Sequence, residues 1–544
     1  MSLPSRARLP LVILVLLALV ASACSDGQLP LLPSPTPEPP RELTITVTDG
    51  ASGEPIDGVE VAVDGASGIT DASGAVPVTA LRGASIDLRR DGWDPAEAIV
   101  PAEGDLAVEL RSNVFSGTVS DGAGAPVADA TVFVEGDPQL VTHTDADGSY
   151  RLAGIAENAT LIVKRAGYRI AEMPVADGIE AADVALEPFT ARALYAPASV
   201  FERPGALDEM LALIDETEAN AMVIDVKETD GQLFWATDLP AAVEAGATQR
   251  APLFDLADLL PELKARGIYT IARMVSMKDN TVGAARPELA VMNVATGEPW
   301  RDNIGGIWLD PAASGVAEYL AALAGDLADK GFDEVQLDYI RFFSDGPYDV
   351  ADTNLPNTQS FRLPAMRRVL RVVSDRLEAT RAFLGADVFP ISFIVPDDQG
   401  IGQRPETIMP YVDYFCPMVY PSHYGPGVFG FDVPNDHPYD VVAESLTRMS
   451  AEAEGLPMKI RPWIQDFGYG PFPPYSADQV LAEMSAAADT GAEGWMIWNP
   501  GASFSRGALG PPRDGEASGP TEVPTPPGSA LPASSAAPAA SPAG

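Results

Sequence analysis

The sequence predicts two all-β sandwiches followed by a larger α/β domain, a (β/α)8 TIM barrel. Two observations carry this. Residues 42–111 and 113–188 repeat one plan of short alternating strands separated by Asp/Gly turns, the pattern of all-β folds. From about residue 190 the pattern changes to strand–helix alternation, which signals βαβ units and a parallel sheet. A length of 544 residues and a hydrophobic content of 46% leave room for several packed cores.

The elements follow in order. Arg6 and Arg8 precede an apolar run over 9–23, too short for the roughly 20 residues of a membrane-spanning helix. Small residues Ala21, Ser22 and Ala23 then lead to Cys24, so 1–24 is a secretory signal by pattern. Residues 25–41 contain PLLPSPTPEPP, an extended Pro-rich linker, and the Pro/Ala/Ser-rich stretch 510–544 is an expected disordered tail. The two β modules each place a D-x-x-G turn, at 71–74 and 145–148, before a strand. TDADG in the second lacks the further oxygen ligands of a calcium loop. Spacing or weak surface interaction is the role expected of both modules.

The barrel is expected over 190–505. Its eight strands are read at 192–200, 221–229, 269–277, 333–342, 388–396, 413–421, 459–467 and 494–500. Helices are read at 205–218, 254–266, 315–330, 362–383, 438–455 and 476–490. The longest insertions, 230–253, 278–312 and 343–361, all follow strands, on the face where such barrels build active sites.

Polar residues gather at those strand ends. Asp225, Lys227 and Glu228 end strand two, and Arg273 lies in strand three. Asp338 and Arg341 end strand four; Asp397 and Asp398 follow strand five. Tyr420, His423 and Tyr424 follow strand six, Gln465 and Asp466 end strand seven, and Trp498 and Asn499 end strand eight. Period-2 alternation places Asp225 with Lys227, and Gln336 with Asp338, on faces expected to open on a wet mouth. Carboxylates, Arg and amides among aromatic rings suit sugars, which offer hydroxyl edges and apolar C–H faces. Trp235, Trp300 and Trp308 are equally compatible with a core.

Charge and composition narrow the function. With 35 Lys+Arg against 77 Asp+Glu the net charge is −42, so nucleic acid is an improbable partner. Two cysteines, Cys24 and Cys416, give no disulfide framework, and Cys416 reads as a small core residue. Three histidines and no glycine-rich phosphate loop after a strand leave no metal site and no cofactor expected.

Several segments carry resemblances. The small residues before Cys24 resemble the bacterial lipoprotein cleavage box, which implies acylation of Cys24, a membrane anchor and a location outside the cytoplasm. The β modules resemble the carboxypeptidase regulatory-like, transthyretin-type fold. GFDEVQLDYIRF (331–342), with VIDVKETDG, GIGQ, PMVYPSHY, RPWIQDF and GWMIWNP, resembles a bacterial family of glycoside-hydrolase-type TIM barrels over roughly 190–505. A more distant likeness is to family-18 chitinases. Asp333 and Asp338 match two of that family's strand-four aspartates, but Gln336 replaces the middle one and Ile340 the catalytic Glu. Pro421 likewise replaces an Asp of the strand-six motif. The α-galactosidase-like barrels, with an Asp nucleophile ending strand four, are the better analogy.

These likenesses imply hydrolysis of a polysaccharide by two carboxyl groups. Asp338 is the expected ionised partner, with Arg341 and Lys227 as the cations that keep it charged. The acid is open among Asp466, Asp398, Asp397 and Glu228. Asp225, Lys227, Glu228, Arg273, Arg341, Tyr420, His423, Tyr424, Gln465, Trp498 and Asn499 are the expected substrate-binding set. The competing reading is a glycan-binding surface lipoprotein that has lost hydrolysis.

Overall fold

A computed structural model describes residues 39–156, 158–175 and 183–512. The signal at 1–24, nearly all of the Pro-rich linker and all but the first residues of the tail lie outside the described residues. Two compact units are present, one ending at Arg111 and one beginning at Ser112.

Each β-rich module consists of a three-stranded and a four-stranded sheet. In the first, Arg41–Asp49 pairs antiparallel with Ala75–Ala80 and parallel with Leu106–Leu110. In the second, Val114–Asp121 pairs the same way with Ser149–Ala153 and Val184–Leu186. The shared D-x-x-G turn has a steric origin. Gly74 (φ 71°) and Gly148 (φ 77°) are left-handed, and a Cβ on either would stand 2.4 Å from the carbonyl of Val47 or Val119. The threonine before each turn is buried. Thr70 Oγ1 donates to Ile56 O and accepts from Val59 N; Thr144 Oγ1 does the same with Val127 O and Ala130 N. Asp145 spends Oδ1 on the amides of Asp147 and Ser149, which closes a turn.

The rest is a curled, TIM-like parallel sheet wrapped by helices. Its strands are β1 (Ala191–Ala196), β2 (Ala221–Lys227), β3 (Tyr269–Val275), β4 (Glu334–Asp338), β5 (Phe383–Val388) and β6 (Tyr414–Pro417), then an interrupted β7 (Lys459–Ile460 and Trp463–Gln465) and β8 (Gly494–Trp498). The sheet begins at the first half of β7, runs through β6 back to β1, then to β8 and the second half of β7. One segment, broken at Arg461-Pro462, therefore bears both ends of the sheet.

Strand five departs from expectation. The run VFPISFIVP, read as a strand at 388–396, holds a helical turn at Ile391–Ile394, and the strand is FLGADV. The helix expected to reach 383 is Gln359–Leu377. Gly, Ala and Asp are poor strand formers, so tertiary packing decides here. A Cβ on Gly385 would lie 2.7 Å from Glu334 Oε1, and the interior of the sheet requires that space.

The second module is more than a spacer, because it docks on the N-terminal end of the sheet. Lys164 is 5% exposed, and its Nζ donates to Leu377 O and Ala382 O, each at 2.9 Å. Gly167 N donates to the Tyr414 hydroxyl at 3.0 Å, and Ala166 packs in the interior cluster of the sheet. Arg381 reaches back to Glu135 and Glu172. Lys164→Ala would strand two buried carbonyls. We expect a loss of about 2–4 kcal/mol in unfolding free energy by denaturant titration, with an unchanged midpoint arguing that the module is only tethered.

Candidate active site

The site is built where β2, β3, β4 and β5 end. Asp225 on β2 is the Cα partner of Arg273 on β3. Asp338 lies one step beyond the Leu337–Ala386 pair, which brings it level with Asp387 on β5. Neighbouring strands run about 4.8 Å apart, so these four side chains converge.

Arg273 is the hub. Its Nη1 donates to Asp225 Oδ1 at 2.5 Å and to Glu228 Oε1 at 3.4 Å, and its Nη2 donates to Asp338 Oδ2. Its Nε has no hydrogen-bond partner and stands 3.9 Å from Asp387 Oδ2. Trp498 lies under the guanidinium, 5.0 Å from ring centroid to Cζ, and stacks on Tyr195. The Tyr195 hydroxyl donates to Asp225 Oδ2, and Trp463 Nε1 donates to Asp387 Oδ1 at 2.7 Å.

Three of these carboxyls, Asp225, Asp338 and Asp387, are buried around one guanidinium, where ionised groups are costly. Burial, and then the charge of Asp338, hold the Asp387 carboxyl well above its ordinary range. Burial pushes Asp225 up to about 8 despite Arg273 beside it. Burial works against the charge of Arg273, but Asp225 and Asp338 outweigh it and raise its pKa. The arrangement thus separates a proton-holding Asp387 from an Arg-braced Asp338.

Asp338 is fixed from a second side. Its Oδ1 accepts the amide of Tyr339 at 2.6 Å. Tyr339 is left-handed (φ 51°), rare for an aromatic residue, and its carbonyl takes the amides of Met277 and Arg341. Above this floor opens a cavity of about 640 Å3 lined by Arg273, Asp338, Tyr339, Arg341 and Asp387, among mostly apolar and aromatic walls. Phe389, Ile391, Ile394 and Met418 contribute to these walls, as do the mutually packed rings of Tyr420, His423, Phe467 and Tyr469. Burial keeps the His423 pKa below its ordinary value.

Of the expected residues, Asp338, Arg273, Arg341, Tyr420, His423, Tyr424 and Trp498 line this cavity. Asp225 and Glu228 contact Arg273 without lining it. The others are placed elsewhere. A register shift between Asp225 and Lys227 turns Lys227 off the shared face. Its Nζ meets Asp279 at 2.9 Å and Val275 O, with no exposure. Arg341 donates to Phe342 O and Ser344 and leans on the Trp308 ring, so Arg273 is the cation on Asp338.

Asp398 is gripped by Arg362 through two 2.7 Å bonds and caps Gly400 and Gly402. Asp397 holds Gln399. Asp466 accepts Ser505 N and Oγ, and Asn499 ties its amide to the carbonyls of Asp466 and Ser503. Gln336 lies inside the sheet, its Nε2 on the sulfurs of Cys416 and Met496, and not at a wet mouth. Trp235, Trp300 and Trp308 are buried in the core. Sequence reasoning missed Asp387 and Tyr195. The available signal for Asp387 was FLGADV itself, a Gly/Ala strand ending in Asp.

Comparison with known proteins then places the chain. Residues 193–504 match the family model described as "Putative glycosyl hydrolase domain", more than half of the sequence. The chain belongs to this family. Residues 114–187 match the carboxypeptidase regulatory-like domain, which covers the second β module. No curated protein matches.

Among solved structures, the chain is similar to a hypothetical protein from Ruminiclostridium thermocellum ATCC 27405 (32% identity over 36% of this chain and 97% of that one, TM-score 0.32). It is also similar to the PgaB (BpsB) glycoside hydrolase domain from Bordetella bronchiseptica (13% identity, 59% and 99% covered, TM-score 0.43). A third is the glycoside hydrolase domain of PelA from Pseudomonas aeruginosa (14%, 60% and 99%, TM-score 0.34).

The raised carboxyl pKa values carry a stability signature. The folded state keeps protons on Asp387 and Asp225 that the unfolded chain releases above about pH 4. Their contribution to stability is therefore full at low pH and is lost as pH rises through the folded values. Unfolding free energy measured by urea between pH 5 and 8 should fall less steeply in Asp387→Asn than in wild type. Parallel profiles would show that Asp387 is already ionised in the fold.

Proposed function

We propose that this glycoside hydrolase family member cleaves glycosidic bonds of a polysaccharide with Asp338 as the ionised carboxylate and Asp387 as the acid. The observation that carries the proposal is the placement of two carboxyls at adjacent strand ends on one cavity floor, Asp338 bonded by Arg273 and Asp387 buried beside it with its pKa raised by burial. Hydrolysis needs such an unequal pair. Asp387 delivers its proton to the glycosidic oxygen as the C–O bond breaks and the alcohol leaves; water then adds at the anomeric carbon and its proton returns to a carboxylate. Asp338, held by Arg273 and the Tyr339 amide, faces the positive charge that develops on the sugar. Trp463 fixes the rotation of Asp387. Glu228 is the runner-up acid; it touches Arg273 but does not line the cavity.

The two β modules are read as carboxypeptidase regulatory-like sandwiches, the first a divergent copy of the second, because they share the buried threonine and the D-x-x-G tie. The enzyme is read as exported, with Cys24 as a lipid anchor.

Two experiments test this. Asp338→Asn should cut turnover by at least about 10³-fold, roughly 4 kcal/mol in barrier, with glycan affinity retained. The readout is new reducing ends across a polysaccharide panel. Near-wild-type turnover would remove Asp338 from the mechanism, and glycan binding without hydrolysis by either form would favour the non-catalytic reading. For the anchor, wild type should fractionate with membranes and Cys24→Ser should not, since stable anchoring needs more than one acyl chain. A wild-type mass without lipid would refute it.

A further inference from the structure

The hydrolase reading uses the cavity floor but leaves one wall unexplained. Four rings from the loops after β6 and β7 line the cavity: Tyr420, His423, Phe467 and Tyr469. They pack as a set. Tyr420 meets His423 and Phe467 edge-on at 5.5 and 5.4 Å, while Tyr469 stacks on His423 at 4.4 Å and 29°. Exposure rises along the set, from Tyr420 at 7% to Tyr469 at 50%. A half-exposed aromatic ring held flat against another ring, at a cavity, offers an apolar face for a ligand to cover.

The two loops are also locked together. One carboxamide, Gln465, accepts Ser422 N at 3.1 Å and donates to Phe467 O at 2.9 Å. The Gln465 amide in turn donates to buried Glu483. His423 Nδ1 is engaged by Ser422 Oγ at 3.0 Å, which fixes the imidazole plane. The ring pair is therefore preorganised, and Gln465 is a positioning residue rather than a sugar ligand.

Resting on the hydrolase reading, we propose that the stacked Tyr469–His423 pair is an outer sugar platform that makes this an enzyme for oligosaccharide chains spanning at least two rings. The inner ring lies on the floor by Trp498, Asp338 and Asp387. The next ring lays its C–H face on Tyr469. The continuity of both regions within one cavity argues for a single extended occupant.

The test compares Tyr469→Ala and Tyr469→Phe with wild type on p-nitrophenyl hexosides and on the matching oligosaccharides of three to six sugars. Binding of the same oligosaccharides to each form is measured by calorimetry. The expected result is a KM and Kd for oligosaccharides raised about tenfold in Tyr469→Ala, the size of one lost ring stack. Values for the monoglycosides should be unchanged, and Tyr469→Phe should be near wild type. Equal losses on both substrate classes, no loss on either, or no oligosaccharide binding by wild type would overturn the platform. If wild type hydrolyses nothing yet Tyr469→Ala binds oligosaccharides more weakly, the platform stands and the hydrolase reading falls.

Discussion

The guanidinium of Arg273 is the constraint on which the C-terminal end of the sheet depends. It stands on β3 between the carboxylates of β2 and β4 and is 4% exposed. Leaving any one of Asp225, Asp338 or Asp387 ionised without it would bury an uncompensated charge. Burial around this shared cation holds the Asp387 and Asp225 carboxyls above their ordinary range. The asymmetry that hydrolysis requires thus follows from burial around one cation.

Below that floor the interior stays polar in layers. Gln336 shares its amide with two sulfurs. Deeper, Arg461 and Glu334 form a fully buried pair at 2.7 Å, with Tyr269 on the same Glu334 oxygen and the Tyr414 ring 3.6 Å from Arg461 Cζ. The Tyr414 hydroxyl then accepts a hydrogen bond from Gly167 N of the second β module. Polar contacts thus run from the docked module to the buried Arg461–Glu334 pair, on strands that neighbour the site. The module satisfies the far end of an interior that a purely apolar barrel would have filled with Val and Ile. The family match at 114–187 and the one at 193–504 thus mark two domains that share one packing unit.

How much of this was legible follows from what each signal measures. Alternation between strand and helix is a property of whole segments, and seven of the eight strands stand where the pattern placed them. Strand five was hidden because VFPISFIVP looks more β-like than FLGADV, and only the volume claimed by Glu334 and Gln336 explains why Gly385 is the strand. That one misreading left Asp387 out of the candidates and kept Asp398 among them, which Arg362 holds as a loop cap. Lys227 was misplaced by a register shift, which no period-2 argument can foresee. Asp466 and Asn499 are near strand ends in sequence, but their side chains serve the turn that follows. Proximity to a strand end gives the right rim without giving the direction a side chain takes from it.

Tyr339 shows where local preference yields to the site. A bulky residue in the left-handed region costs on the order of 1–2 kcal/mol, and nothing in LDYIR requires a turn there. The cost is offset by three hydrogen bonds: the Tyr339 amide to Asp338, and the amides of Met277 and Arg341 to the Tyr339 carbonyl. The Trp308 ring, 5.8 Å from that of Tyr339, fills the space behind it. The outcome of the strained turn is that both Asp338 oxygens are held by donors of different kinds, one backbone and one guanidinium. A carboxylate so fixed presents one orientation at the cavity floor. The backbone distortion therefore adds a fixed orientation to the charge balance that Arg273 sets.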